Sequence, residues 1–245
     1  MTALILQARL DSTRLPQKAL LPLGGRPLLL RVMEALNRIP AEARILACPA
    51  DCAETFEPLA GEAGFALYAG SKEDVLARYC GALRHFFLKV SPAPGEDGLP
   101  DRVIRATGDN PFVFADAALR IHDEATALGA DYAGYAGLPY GAGVESLETY
   151  ALLQAEREAR EQAEREHVAP YLYKHPEYFR LHRPLAPRPW QAPLRLTVDT
   201  EEDYRRAERL YALLDERCGP GNPARWRGET IIEACKDLGT GYGIG

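Results

Sequence analysis

Ala3-Leu-Ile-Leu-Gln7 runs directly into Ala8-Arg-Leu-Asp-Ser-Thr-Arg-Leu-Pro-Gln-Lys18. A short, uninterrupted apolar run of this kind predicts a buried strand. The polar, arginine-rich stretch from Ala8 to Lys18 predicts a loop leaving that strand's carboxyl end. Which way the rest of the chain folds depends on whether this strand-then-loop unit is followed by a helix, and it is. From Pro27 onward, Leu29, Val32, Met33, Leu36 and Ile39 recur at helical spacing, with proline suited to a first helical turn.

The same alternation continues outward. Ile45–Cys48 predicts a second strand, residues near Ala53–Ala63 a helix, and Phe65–Tyr68 a third strand. Ser71 and Asp74 resemble a capping box ahead of a helical stripe of Val75, Leu76, Tyr79, Leu83 and Phe86 that runs to about Leu88. Ser91–Pro100 is a turn-rich loop, Arg102–Ala106 a strand, Thr107–Pro111 a loop, and residues near Asp116–Leu128 a helix. Beyond that the pattern loosens. A charged helix is expected over Leu147–Arg165, strands over Tyr178–His182 and Leu194–Val198, and a helix over Glu201–Glu216.

Alternating strands and helices predict a doubly wound, mainly parallel mixed α/β sheet of Rossmann-like type, with ligands bound beyond the carboxyl ends of its strands. The expectation is one domain over residues 1–245, with a small β elaboration near residues 135–195. Its 47% hydrophobic and 26% charged residues suit one substantial core. A formal net charge of -6 argues against binding to a nucleic-acid backbone, which depends on clustered cations. No apolar run reaches the roughly 20 residues of a membrane span, and a cytoplasmic location is expected. The five cysteines lack a zinc-type pairing and read as reduced thiols.

Three segments carry chemistry. In the first loop, Arg9 and Arg14 can grip phosphate oxygens through forked donors, Lys18 can act as a point charge, and Ser12 with nearby backbone N–H groups can cap remaining oxygens. The plain alternative is a solvated basic loop. The second segment is Arg105-Ala-Thr-Gly-Asp-Asn-Pro-Phe112, where Gly108 allows close backbone approach and Asp109 offers a carboxylate suited to magnesium. Asp-Asn-Pro is equally good turn chemistry. The third is Leu194-Arg-Leu-Thr-Val-Asp-Thr-Glu-Glu-Asp-Tyr204, in which Thr200 with Asp203 can cap the next helix and leave Asp199 free, unless Asp199 is itself the cap.

Together these segments resemble the CMP-sugar synthetase superfamily of cytidylyltransferases, whose signature is a strand followed by Arg-x-x-Ser-x-Arg-Leu-Pro-x-Lys. Within it the spore-coat-polysaccharide type is nearest, related to the synthetases that activate sialic, pseudaminic and 3-deoxy-octulosonic acids. The resemblance implies that CTP is bound by Gln7, Ala8, Arg9, Ser12, Arg14 and Lys18, with Arg105 and Thr107, and that Asp109 and Asp199 hold Mg2+. Arg9, Arg14, Lys18 and Asp109 are then the catalytic set. Gly70-Ser-Lys-Glu-Asp-Val-Leu-Ala-Arg78 is similar to the segment bordering the cytidine, which nominates Ser71, Asp74 and Arg78, a capped helix with a solvated arginine being the alternative.

Leu138-Pro-Tyr-Gly-Ala-Gly-Val-Glu145 looks like an acceptor loop, nominating Tyr140 and Glu145. Arg165-Glu-His-Val-Ala-Pro-Tyr171 also matches the spore-coat type and adds Arg165 and His167. The implied acceptor is a small hydroxylated acid, and the implied assembly a homodimer in which the strand at Tyr178–His182 projects from the core. One departure stands out: the family's usual glycine before the lysine is Gln17 here.

Rival readings are a transferase using another nucleoside triphosphate on a sugar phosphate or molybdenum cofactor, and a catalytically silent nucleotide-binding subunit. The first favours a Leu-Ala-Gly-Gly-x-Gly-x-Arg opening that Gln7–Arg14 lacks, and the retained Asp109 and Asp199 argue against the second. A dinucleotide-binding oxidoreductase would place Gly-x-Gly-x-x-Gly after the first strand, where none occurs.

Overall fold

The computed structural model describes residues 1–88 and 98–239. Its elements are β1 (Thr2–Gln7), β2 (Pro22–Leu23), β3 (Arg26–Pro27), α1 (Leu28–Leu36), β4 (Ala43–Pro49), α2 (Ala53–Ala63), β5 (Ala66–Gly70), α3 (Val75–Phe87) and β6 (Arg102–Thr107). There follow α4 (Ala115–Leu128), β7 (Tyr132–Ala133), β8 (Glu145–Glu148), α5 (Thr149–Glu158), α6 (Gln162–His167), α7 (Pro170–Lys174), β9 (Leu181–His182), α8 (Glu201–Cys218) and α9 (Gly228–Asp237). Most of the loop expected at Ser91–Pro100 lies outside the described residues.

β1 is buried on both faces because its side chains divide between two cores. Leu4 and Leu6 join one cluster with α1, α2, α4, α8 and α9, while Ala3 and Ile5 join another with α3 and α5. Ala3, Leu4, Ile5 and Leu6 are fully buried, as a central strand covered by helices on both sides requires. The main sheet runs β5-β4-β1-β6-β8-β7-β9. The first four strands are mutually parallel, and β8 runs antiparallel between β6 and β7.

The chain leaves β1 toward β4 and β5, then crosses back to place β6 on β1's other side. The topological switch point therefore lies between β1 and β6, with Gln7 level with Ala47 and Thr107.

The expected long helix over Leu147–Arg165 is not formed. Ser146 and Leu147 are fully buried between β6 and β7 as part of β8, and the helical stretch then divides into α5 and α6. Arg165 explains the division: it donates to the carbonyls of Glu156 (2.9 Å) and Ala159 (3.1 Å), satisfying the end of α5 where the backbone turns extended. The strand expected over Tyr178–His182 shrinks to Leu181–His182 and pairs with β7 at the edge of the main sheet rather than projecting from it. Leu194–Val198 is no sheet strand but extended chain, bridged to the main body at Tyr140 and Arg195.

The capping residue of α3 is Asp74, which accepts from Ala77 N–H, with Ser71 Oγ accepting from Asp74 N–H one turn earlier. The capping box at Thr200 and Asp203 forms as expected. The sequence reading had no counterpart for α9, which buries Ile231, Ile232, Ala234 and Cys235. All five cysteines are unpaired, and burial pushes the Cys48 thiol up to about 11 and that of Cys235 up to about 12, making both poor nucleophiles.

Candidate active site

The loops after β1 and β6 meet because Gly108 has no side chain. Its N–H donates to Gln7 O at 2.8 Å, and a Cβ there would stand 2.8 Å from Ala8 Cβ and 3.0 Å from Gln7 O. A third segment joins them where Val198 N–H donates to Asp109 O at 2.8 Å. That bond brings Asp109 and Asp199, ninety residues apart in sequence, onto one spot.

Lys18 occupies the spot. Its Nζ donates to Asp109 Oδ2 (3.2 Å), Asp199 Oδ1 (2.9 Å) and Val198 O (2.8 Å), and its side chain is only 13% exposed. Arg14 reaches Asp199 Oδ1 at 3.3 Å while remaining 62% exposed. Lys18 arrives there through a turn at Gln17, whose φ of 52° and ψ of 28° are left-handed. The backbone at Gln17 thus adopts a conformation that costs glycine nothing and is disfavoured for a residue with a side chain.

Around this centre is a cavity of about 690 Å³. Gln7, Ala8, Arg9, Ser12, Arg14, Lys18, Arg78, Arg105, Thr107, Asp109, Tyr140, His167 and Asp199 all line it, so most of the residues nominated from sequence are brought together. Arg9 is 59% exposed, with Asp11 at 3.6 Å.

Four nominated residues do not line it. Ser71 and Asp74 sit at the start of α3, and Asp74 is bound by Arg165 Nε at 2.6 Å. Asp74 and Arg165 are therefore engaged with each other, joining α3 to α6. Glu145 pairs with Arg105 and accepts from Tyr132 O–H at 2.9 Å. Burial works against the Arg105 charge, and the facing Glu145 more than restores it, so its pKa rises. Arg105 also donates to Gln7 Oε1 at 3.2 Å, fixing the strand-end glutamine. Arg78, almost fully buried, donates to Ser71 O at 2.6 Å.

Sequence reasoning missed Arg195. It donates to Asp199 Oδ2 at 2.5 Å and Asp203 Oδ1 at 3.3 Å, and its guanidinium lies 4.9 Å from the Tyr140 ring centroid. The signal was present: in an extended chain Arg195, Thr197 and Asp199 share one face while Leu196 and Val198 bury the other. Asn110 was also missed. It donates to Thr107 Oγ1 at 2.7 Å, while its own Oδ1 finds no partner among the described residues.

Beneath the site, Asp203 accepts from the N–H groups of Asp199 (3.1 Å) and Thr200 (2.9 Å). Burial opposes its charge, but Thr200 and these N–H groups hold the carboxyl below its ordinary value. His167 ends α6 at the cavity rim, fixed by a tight γ-turn at Val168 (φ 71°, ψ -59°) in which Ala169 N–H donates to His167 O at 2.9 Å.

Two carboxylates within reach of one cation are a hard oxygen donor set of the kind that shares Mg2+ with substrate phosphates. Among the described residues no group of three or more acidic, histidine or cysteine ligands exists, so the pair fits an ion completed by a bound nucleotide rather than a closed protein cage.

A Rossmann-like sheet with a basic loop and paired carboxylates at its switch point defines a nucleotidyltransferase. The chain belongs to the cytidylyltransferase family, whose model matches residues 3–231. It is 34% identical over 224 residues to the spore coat polysaccharide biosynthesis protein SpsF of Bacillus subtilis, covering 87% of each chain. In fold it resembles a cytidylyltransferase from Leptospira borgpetersenii, with a TM-score of 0.81 and 22% identity over 100% of this chain and 97% of that one. A CMP:2-keto-3-deoxy-manno-octonic acid synthetase complexed with CTP shares the fold at a TM-score of 0.63 and 14% identity, over 86% of this chain and 98% of that one.

Proposed function

We propose that this enzyme transfers CMP from CTP to a hydroxyl of a small sugar acid or similar acceptor, releasing pyrophosphate, in surface polysaccharide biosynthesis. The observation that carries the reading is the convergence of Asp109 and Asp199 on Lys18 at the switch point, with Arg14 at its rim. Membership of the cytidylyltransferase family supports the choice of cytidine, the CMP:2-keto-3-deoxy-manno-octonic acid synthetase of like fold that of an acidic acceptor, and similarity to SpsF that of polysaccharide biosynthesis.

In this reaction an acceptor oxygen forms a bond to the α-phosphorus of CTP and the bond to the β-phosphate oxygen breaks. Asp109 and Asp199 hold Mg2+, which when bound offsets phosphate charge and lowers the acceptor hydroxyl's pKa. Arg9, Arg14, Lys18 and Ser12 take the phosphate oxygens, and the cations stabilise charge that builds on departing pyrophosphate. Asp109 is the carboxylate at hand for the acceptor's proton. Gln7, Ala8, Arg78, Arg105 and Thr107 form the nucleoside wall, with Ser71 and Asp74 supporting it from α3. Tyr140, His167 and Asn110 serve the acceptor, and Glu145 and Arg165 act by holding β8 and α6 in place.

Among the described residues no helix is long and apolar enough to cross a membrane, which is compatible with the proposed cytoplasmic enzyme. A homodimer completes the proposal, supported by the open edge at β9 and the exposed Tyr178 and Leu185 beside it.

The test is pyrophosphate release with each of CTP, UTP, GTP and ATP against a panel of sugar acids, with products read by mass. CTP alone should support turnover and yield a CMP-linked acid. Preference for another triphosphate, or tight CTP binding without turnover on any acceptor, would overturn the proposal.

A further inference from the structure

Arg195 does not line the catalytic cavity, yet it touches two residues that do, Asp199 and Tyr140. Its Nη2 donates to Asp199 Oδ2 at 2.5 Å, while Asp199 Oδ1 faces Lys18 Nζ at 2.9 Å and Arg14 Nη2 at 3.3 Å. One oxygen of this carboxylate is thus directed at the spot shared with Asp109, and the other is already taken.

Arg195 is itself braced. Its Nε donates to Asp203 Oδ1 at 3.3 Å, and Asp203 Oδ2 accepts from the Asp199 N–H at 3.1 Å. Asp203 therefore fixes Asp199 twice, directly at the backbone and through the guanidinium at the carboxylate. The bridge uses the forked, planar donors of arginine; a lysine would keep the charge but not the fixed angle between the two bonds.

The Tyr140 ring covers the guanidinium, its centroid 4.9 Å away, while the residue is 59% exposed on the cavity wall. Backbone pairing holds the ring there: Tyr140 N–H donates to Leu194 O and Leu196 N–H to Tyr140 O, both at 2.8 Å. Gly141 permits this close approach, since its φ is 91° and a Cβ there would stand 2.7 Å from Thr197 N. Ring, guanidinium and carboxylate form one chain from the cavity wall to Asp199.

We propose that Arg195 is a positioning residue that presents a single oxygen of Asp199 to the divalent cation and withholds the other, and that the Tyr140 ring keeps it in that orientation. The proposal rests on the reading of Asp199 as a cation ligand.

Mn2+ affinity, measured by electron paramagnetic resonance in the presence of CTP, tests it, with thermal unfolding of each variant followed in parallel. Arg195→Lys should weaken Mn2+ binding about tenfold, the usual cost of losing a group that orients a metal ligand. In an Asp199→Asn background the same change should cost less than about twofold, because Arg195 acts through that carboxylate, whereas a merely structural role would cost as much in either background. Tyr140→Ala should weaken Mn2+ binding about threefold, and Tyr140→Phe, which keeps the ring, should restore wild-type affinity. Tyr140 is exposed, so its variants carry the test if Arg195→Lys fails to fold. Unchanged Mn2+ affinity in Arg195→Lys or Tyr140→Ala, or an equal loss in both backgrounds, would overturn the proposal while leaving the metal reading intact. Wild-type Mn2+ affinity in Asp199→Asn would instead overturn the metal reading, and the proposal with it.

Discussion

The two sides of the catalytic cavity use charge differently. On the side made by the loops after β1 and β6 and by residues 195–203, Lys18, Arg14, Asp109 and Asp199 pair with one another while lining the cavity. On the side made by α3, β8 and α6, Asp74 pairs with Arg165 and Glu145 with Arg105 and Tyr132, and of these only Arg105 reaches the lining. Pairs of the first kind can exchange partners with an incoming ligand. Pairs of the second kind hold secondary-structure elements together, so a charged residue in a family-like motif is not by that fact a ligand contact.

The largest expected effect falls on the first side. Lys18→Ala should lower kcat/KM for CTP by about 10²–10³-fold, the usual loss for one electrostatic donor to a transition state, with little change in Tm. An activity within threefold of the wild type in steady-state assays would erase the distinction between the two sides.

Asp203→Asn probes the support beneath that side. Removing this buried charge from Arg195 and Arg206 should cost about 3 kcal/mol in urea unfolding. Because its folded pKa is lowered, its stabilising contribution is present above the ordinary carboxyl value of 3.8 and is lost as pH falls below it. The wild type should therefore lose stability more steeply than Asp203→Asn on acidification through that range, and parallel profiles would contradict the assignment.

Arg165→Ala sharpens the second side of the comparison. Loss of its bonds to Asp74, Glu156 and Ala159 should destabilise by about 1–2 kcal/mol, since the pair is partly exposed, with KM values for CTP and acceptor unchanged within about twofold. A large rise in acceptor KM at unchanged stability would make Arg165 an acceptor residue after all. The smallest effect belongs to Gln17→Gly, which relieves a left-handed residue but frees the unfolded chain, for a net gain of no more than about 1 kcal/mol in thermal unfolding. A loss greater than that would show that the Gln17 side chain, rather than its backbone, matters.

The same contrast explains what was legible in the sequence. The first 130 residues alternate long apolar strands with strongly periodic helices, and their boundaries emerge within a few residues. Arg14, Lys18 and Asp109 sit on loops whose place follows from strand order, whereas Asp199 follows no sheet strand and was nominated by the family resemblance. Residues 134–200 are extended chain, helices of five to ten residues and strands of two and four residues, held by non-local bonds such as Leu196 N–H to Tyr140 O. Periodicity has too little length there to act on. The break between α5 and α6 depends on where one arginine reaches, and the pairing of Asp74 with Arg165 spans 91 residues. Arg195 was readable from alternation, but only once Leu194–Val198 was treated as a surface facing the site.

The central claim is that Asp109 and Asp199 form one divalent-cation site beside bound CTP. Electron paramagnetic resonance of Mn2+ binding in the presence of CTP tests it directly. Asp109→Asn and Asp199→Asn should each weaken Mn2+ binding at least tenfold, and the double variant should bind little worse than the weaker single one, because both ligands serve the same ion. If either substitution leaves Mn2+ affinity unchanged, the two carboxylates do not share a metal and the proposed centre is wrong.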